Sequence, residues 1–143
     1  MGFDPSADYP LGTERPDLVT TPSGLRLDEV TLDALRAGRL SADDIRATPE
    51  TLRRQAEVAR AAGREPLAAN LERAAELAGL PADTLLEIYT ALRPNRSRGA
   101  DLNAWARRLE SEFAAPLSAA FVREAALVYA ERGLLNEPAE ETV

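Results

Sequence analysis

The stretch TPETLRRQAEVARAAGREPLAANLERAAELAGLP, residues 48–81, decides the fold. Thr48 offers a hydroxyl to an orphan backbone N–H, Pro49 presets φ at the first helical position, and Glu50 places a carboxylate at the positive end of the helix dipole. That helix is expected to run to Ala62 and stop at Gly63. A second opens at Glu65-Pro66 and ends at Gly79, ahead of Pro81, with Leu67, Leu71, Ala74, Ala75 and Ala78 along one side. Apolar residues recurring with the helical period and separated by a short connection describe two neighbouring, roughly antiparallel helices.

The same punctuation continues in both directions. Toward the C-terminus, Pro81 starts a helix with Leu85, Ile88, Tyr89 and Leu92 on one stripe, ending before Pro94. Ser97 is expected to cap the next, whose stripe is Leu102, Trp105, Ala106, Leu109 and Phe113. Pro116 opens the last, with Leu117, Ala120, Phe121, Ala125 and Val128 facing inward and Gly133 as its stop. Toward the N-terminus, a short helix covers Thr31 to Ala37 before Gly38, and Ser41 caps a turn in which Asp43 and Asp44 complement the dipole. Residues 1–27 differ: Pro5, Pro10, Pro16 and Pro22 recur too often for a helix of useful length. They read as an extended N-terminal arm, either a disordered tail or a segment that orders on a partner. The expected organisation is all-α: a bundle of about five to seven helices over 28–135, the arm over 1–27, and a flexible acidic tail over 136–143.

Composition narrows the chemistry. With 45% hydrophobic and 29% charged residues, the chain can bury a core and stay soluble. It has no His, Cys or Lys, and all 17 basic residues are Arg. This removes the commonest general base, any thiolate nucleophile or thiolate metal ligand, Schiff-base chemistry and a P-loop lysine. A net charge of −7 with interleaved Arg and Glu argues against a nucleic-acid binder and for a solvated ion-pair surface. No apolar run reaches the length of a membrane span, and no secretory signal opens the chain. The expected location is the cytoplasm.

Glu124 is singled out because it falls with Leu117 and Phe121, where a carboxylate needs a partner. Arg73, Arg93 or an Arg of another subunit are the candidates. The turn Leu92 to Arg98 carries Arg93, Arg96 and Arg98 beside a helix start, which reads either as dipole-complementing charge or as an anion site. Tyr89 and Trp105 read as core residues. No motif carries catalysis, cofactor binding or metal binding by itself, so a free-standing helical interaction or regulatory protein and a small carboxylate-based hydrolase both stay open at this point.

An ordered set of segments carries a resemblance. Asp8-Tyr9-Pro10-Leu11, Thr31-Leu32, Asp44-Ile45-Arg46, Thr48 to Arg53, Ala69 to Leu77, Leu86 to Tyr89, Ala91 to Pro94, Ala119 to Ala126 and Tyr129 resemble the small (gamma) subunit of propanediol and glycerol dehydratases. The resemblance implies a mostly helical, non-catalytic accessory subunit, inactive alone. It implies large and medium partner subunits, two copies of each of the three, with adenosylcobalamin held between the large and medium subunits and not by this chain. It implies a radical reaction that turns 1,2-propanediol into propionaldehyde, or glycerol into 3-hydroxypropionaldehyde, with loss of water. The short leader before Asp8 looks more like the glycerol dehydratase form. Tyr9, Leu11, Arg93 and Glu124 are expected in a subunit interface or a structural network.

Overall fold

A computed structural model describes residues 2–136; of the expected tail only Asn136 falls within them, and the rest lies outside the described residues. Seven α-helices and three short 3-10 turns account for the regular structure of those residues. The single bridge outside the helices pairs Thr20 with Arg26. The chain is all-α, as its periodicity predicts. It divides into two compact units, one ending at Ala78 and the other starting at Gly79.

The first unit is built on a helix pair. α3 (Pro49–Ala61) is capped by Thr48, whose hydroxyl accepts from the Thr51 N–H at 3.3 Å. Gly63, at φ +72°, takes the left-handed conformation that ends α3 at no steric cost. α4 (Glu65–Leu77) then starts at once with Pro66 in its first turn. Ala56 and Ala59 of α3 meet Ala68 of α4, with Leu71 packed against them. The buried face of α4 therefore runs through Ala68 and Ala75, one residue off the expected Leu67, which is exposed.

The arm packs into this same unit. α1 (Leu11–Glu14) seats Leu11, which is 6% exposed. Arg15 makes a bidentate pair with Asp17 and reaches Asp8 with its remaining nitrogen, each contact at 3.0 Å. Arg54 of α3 donates to the Leu18 carbonyl at 2.6 Å. Within the arm, 3-10 turns cover Pro16–Leu18 and Leu27–Glu29. α2 (Leu32–Arg36) follows, capped by Thr31.

Asp44 ties the arm to the loop ahead of α3. One carboxylate oxygen accepts from the Ser23 N–H at 3.3 Å, and the other accepts from both the N–H and the hydroxyl of Ser41 at 2.8 Å. Ser41 therefore does not cap the turn over Asp43–Ile45; it donates to the aspartate instead. Hydrogen bonding from Ser23, then from Ser41, holds the Asp44 carboxyl well below the usual carboxylate range against the opposing effect of burial.

In the second unit, α5 (Ala82–Ala91) leads to α6 (Gly99–Ser111) and α7 (Pro116–Glu131). Ser97 does not cap α6; its hydroxyl donates to the Ala91 carbonyl at 2.8 Å, and the Asp101 carboxylate accepts from the Arg98 N–H at the helix start. α6 buries Leu102, Ala106 and Leu109, and α7 buries Ser118, Ala119, Val122 and Ala126. Gly133, at φ +65°, closes α7. The expected inward stripe of α7 is thus rotated out, with Leu117 and Phe121 each 47% exposed. On α7 the side turned inward is the one with the smaller side chains, packed with Leu102 and Leu109 of α6 in the core of this unit.

Two outcomes follow from this packing. Ala119→Leu is expected to cost about 1–3 kcal/mol by overpacking a fully buried site. Ala120→Leu, one residue on and exposed, should stay within about 0.5 kcal/mol of the parent. Urea unfolding followed by circular dichroism compares them, and equal losses would contradict the assignment of the faces. Asp44→Asn is expected to lower the thermal midpoint at neutral pH. Because the folded-state pKa of Asp44 is depressed, its contribution is complete above the unfolded value of about 3.9 and fades as pH falls toward the folded one. The gap between parent and variant should therefore be constant above about pH 5 and shrink below about pH 4. A gap that widens on acidification would contradict the network.

Candidate functional site

The chemistry this chain presents is that of a surface. Among the described residues no group of three His, Cys, Asp or Glu is placed to hold a metal ion. The ionisable side chains pair with each other: Arg60 bridges Glu65 and Glu72, Arg98 pairs with Asp101, Arg108 with Glu112, and Arg123 spans from α7 to Glu110 of α6. The carboxyls of Asp101 and Glu110 are held below their ordinary values by hydrogen bonds from Arg98 and Arg123 respectively. These are orienting contacts, and none places a carboxylate in a closed cleft where a general acid would work.

Large apolar side chains outside the core are the distinctive feature. Among the described residues, nine of the fifteen buried hydrophobic ones are alanines, and Leu102 and Leu109 are the largest side chains fully enclosed. Many larger ones sit outside. Tyr9, 64% exposed, stands at the rim of a groove of about 630 Å³ in the first unit, which Leu11, Val58, Leu67 and Leu71 line together with Arg64 and Gln55. A smaller recess of about 200 Å³ lies among Val19, Leu27, Val30 and Ile45, with Ile45 75% exposed. In the second unit Leu86 and Tyr89 are exposed on α5, and Leu117, Phe121 and Leu127 on α7. Each unit thus carries several large apolar side chains outside its core, the kind of surface from which interaction sites are built.

The structure distributes the four residues singled out from sequence. Leu11 is core and holds the arm from inside, while Tyr9 faces outward over the groove. Arg93 is exposed on the turn after α5. Glu124 lies on the outer face of α7 and is exposed, so burial does not force an ion pair on it; within its own unit, among the described residues, no ion pair engages it, Arg93 included. The turn around Asn95, which adopts φ +58°, is fixed by the Asn95 N–H donating to Leu134 O at 2.8 Å. Its anion reading loses ground, because Asp101 already occupies the start of α6 and pairs with Arg98. Tyr89 is 61% exposed, not core. Trp105 is half-buried, with the Arg108 guanidinium 4.3 Å from its ring centroid, a cation–π contact.

Sequence reasoning missed Leu67, Leu86, Leu117 and Leu127 as surface residues. The available signal was in α7, where only Arg123, Glu124 and Glu131 are charged along the whole helix. A helix apolar on every side has more surface to cover than one neighbour can cover.

Comparison with known proteins agrees with this picture. The family model for the dehydratase small subunit matches residues 5–136. The propanediol dehydratase small subunit of Citrobacter freundii is 52% identical over 129 residues, spanning 90% of this chain and 75% of that protein. Its counterpart from Salmonella typhimurium is 51% identical over 130 residues, spanning 91% of this chain and 75% of that protein. With nearly the whole described chain matched and half its residues identical to each relative, the chain belongs to the dehydratase small subunit family.

Proposed function

We propose that this chain is the non-catalytic small subunit of a coenzyme B12-dependent diol dehydratase, an accessory part of a hydro-lyase that turns 1,2-propanediol into propionaldehyde, or glycerol into 3-hydroxypropionaldehyde. The observation that carries the proposal is the inverted apolar distribution: alanines inside, and Tyr9, Leu86, Tyr89, Leu117, Phe121 and Leu127 outside. Such a chain is suited to completing its burial on other subunits. The names of its relatives supply which assembly that is.

The partners are a large and a medium subunit, two copies of each of the three chains making the complex, in the cytoplasm or a microcompartment within it. Among the described residues no helix is long and apolar enough to cross a membrane. Adenosylcobalamin belongs to the large and medium subunits. This chain has no His or Cys, so it offers no imidazole or thiolate as a cobalt ligand, in keeping with that assignment. The part assigned to this chain is to bind and steady the subunit that holds the substrate. Tyr9 and Arg93 are interface residues in this reading, and Leu11 supports the arm from beneath.

Co-expression with the large and medium subunits, purification through a tag on this chain, and assay with adenosylcobalamin test the proposal. Co-purification of all three with aldehyde formation, and none from this chain alone, is the expected result. Tyr9→Ala should reduce the yield of complex while leaving the isolated chain folded. A chain that leaves both partners behind would point instead to a free-standing helical interaction protein.

A further inference from the structure

Resting on the reading of this chain as one subunit of a larger dehydratase, we infer that the groove beside α3 and α4 receives a segment of another subunit that presents apolar side chains around one aspartate or glutamate, with that carboxylate meeting Arg64. The arm contributes Tyr9 and Leu11 to this groove, α3 contributes Val58, and α4 contributes Leu67 and Leu71, one turn apart. Tyr9 and Leu67 are 64% and 43% exposed. The lining falls within the first compact unit, so the groove belongs to that unit alone. Among the described residues Arg64 is the sole charged one in the lining.

Arg64 selects the occupant. Its backbone N–H donates to Ala59 O at 2.8 Å and its carbonyl accepts from the Ala68 N–H at 3.0 Å, which holds it in the tight connection between α3 and α4. Its sequence neighbour Glu65 is taken: Arg60 donates to both of its carboxylate oxygens at 3.2 Å and reaches Glu72 at 3.0 Å. Among the described residues no ion pair or side-chain hydrogen bond engages the Arg64 guanidinium. Covering the groove with apolar groups alone would strip water from that guanidinium with no anion in return. A carboxylate on the incoming segment removes the cost and suits the planar nitrogens of arginine. A small anion alone gains little from one exposed arginine, so the apolar lining has to supply most of the affinity. A second copy of this chain is the poorer occupant. A two-fold pair would set groove against groove, with an arginine and no carboxylate in either lining, and two chains of net charge −7 repel. A different chain carrying a carboxylate between apolar side chains covers the groove and satisfies the cation together.

The test uses the three-subunit complex, with substitutions introduced into this chain and circular dichroism reporting helicity for each variant. The unsubstituted chain should retain its partners. Arg64→Glu should raise the dissociation constant about tenfold or more. Arg64→Gln should lose less and flatten the dependence of binding on ionic strength, and Leu67→Ser should weaken binding at every ionic strength. Arg64→Lys keeps the charge and gives this lysine-free chain one side-chain amine. A carbodiimide, which condenses an amine with a carboxylate in contact with it, should then link that amine to an aspartate or glutamate of another subunit, located by mass spectrometry. Should Arg64→Glu lose helicity, the Gln variant and the cross-link decide. Normal binding by Arg64→Glu, Arg64→Gln and Leu67→Ser overturns the docking groove while leaving the subunit reading intact. Weakening by Leu67→Ser with both Arg64 variants unchanged overturns the partner carboxylate. A cross-link from that amine to a second copy of this chain overturns the choice of occupant. An unsubstituted chain that retains neither subunit overturns the subunit reading and this inference with it, and is seen before any substitution is made.

Discussion

Close approach of paired helices along alanine faces is the constraint on which the rest of the molecule depends. Ala56 and Ala59 pack against Ala68 in the first unit, and in the second α6 buries Leu102, Ala106 and Leu109 while α7 buries Ala119, Val122 and Ala126. Alanine has the best helix propensity and loses no rotamer freedom on burial, so these faces are cheap to form. They also bury little apolar area per residue. The large side chains, which would contribute about 1.5–3 kcal/mol each if fully enclosed, are left on the other side of the same helices.

This division of labour connects the packing to the surface. A chain that used Leu117, Phe121, Leu67 and Tyr89 in its own core would be more self-sufficient and would offer a partner less. Here the internal contacts hold each helix pair in register while several Leu, Phe and Tyr side chains stay partly exposed. The arm follows the same logic by polar means. Arg54 on Leu18 O, the Asp8–Arg15–Asp17 contacts and Asp44 bridging Ser23 and Ser41 fix a proline-rich segment that has no helical ladder of its own. Leu11 anchors it from within, so Tyr9 is presented outward on a supported backbone.

Local chemistry made the helices legible from sequence, and side-chain size concealed their faces. Thr48-Pro49-Glu50, the glycines after α3 and α7, and Pro116 each act within a few residues, so helix starts and stops could be read directly. Which face of α7 turns inward is a tertiary question. Leu117 with Phe121 and Ala119 with Val122 both repeat with the helical period, and a pattern weighted by hydrophobicity prefers the larger pair. Packing in the folded unit settles it in favour of Ala119 and Val122. Ser41 and Ser97 illustrate the same gap on a smaller scale. Each sits where a cap is expected, yet Asp44 and the Ala91 carbonyl, brought near by the fold, are the partners they take. Among the surface residues, Glu124 reads from sequence as an inward carboxylate in need of a partner and is exposed instead, Tyr9 enters through the resemblance, and Leu86 carries no local mark that sets it outside.

The exclusive use of arginine fits a chain whose surface must keep its shape. Arg60 joins the start of α4 to Glu72 further along it, and Arg123 joins α7 to α6, each through planar nitrogens that suit a carboxylate in two places at once. Exposed pairs of this type add little to stability individually. Their effect is geometric: they fix where a helix face points. Arginine stays charged throughout the accessible pH range, and with no His or Cys there is no imidazole or thiol to change charge near neutrality. The surface is therefore presented without an imidazole or thiol switch over the neutral range, as suits a subunit that contributes surface and leaves the chemistry to its partners.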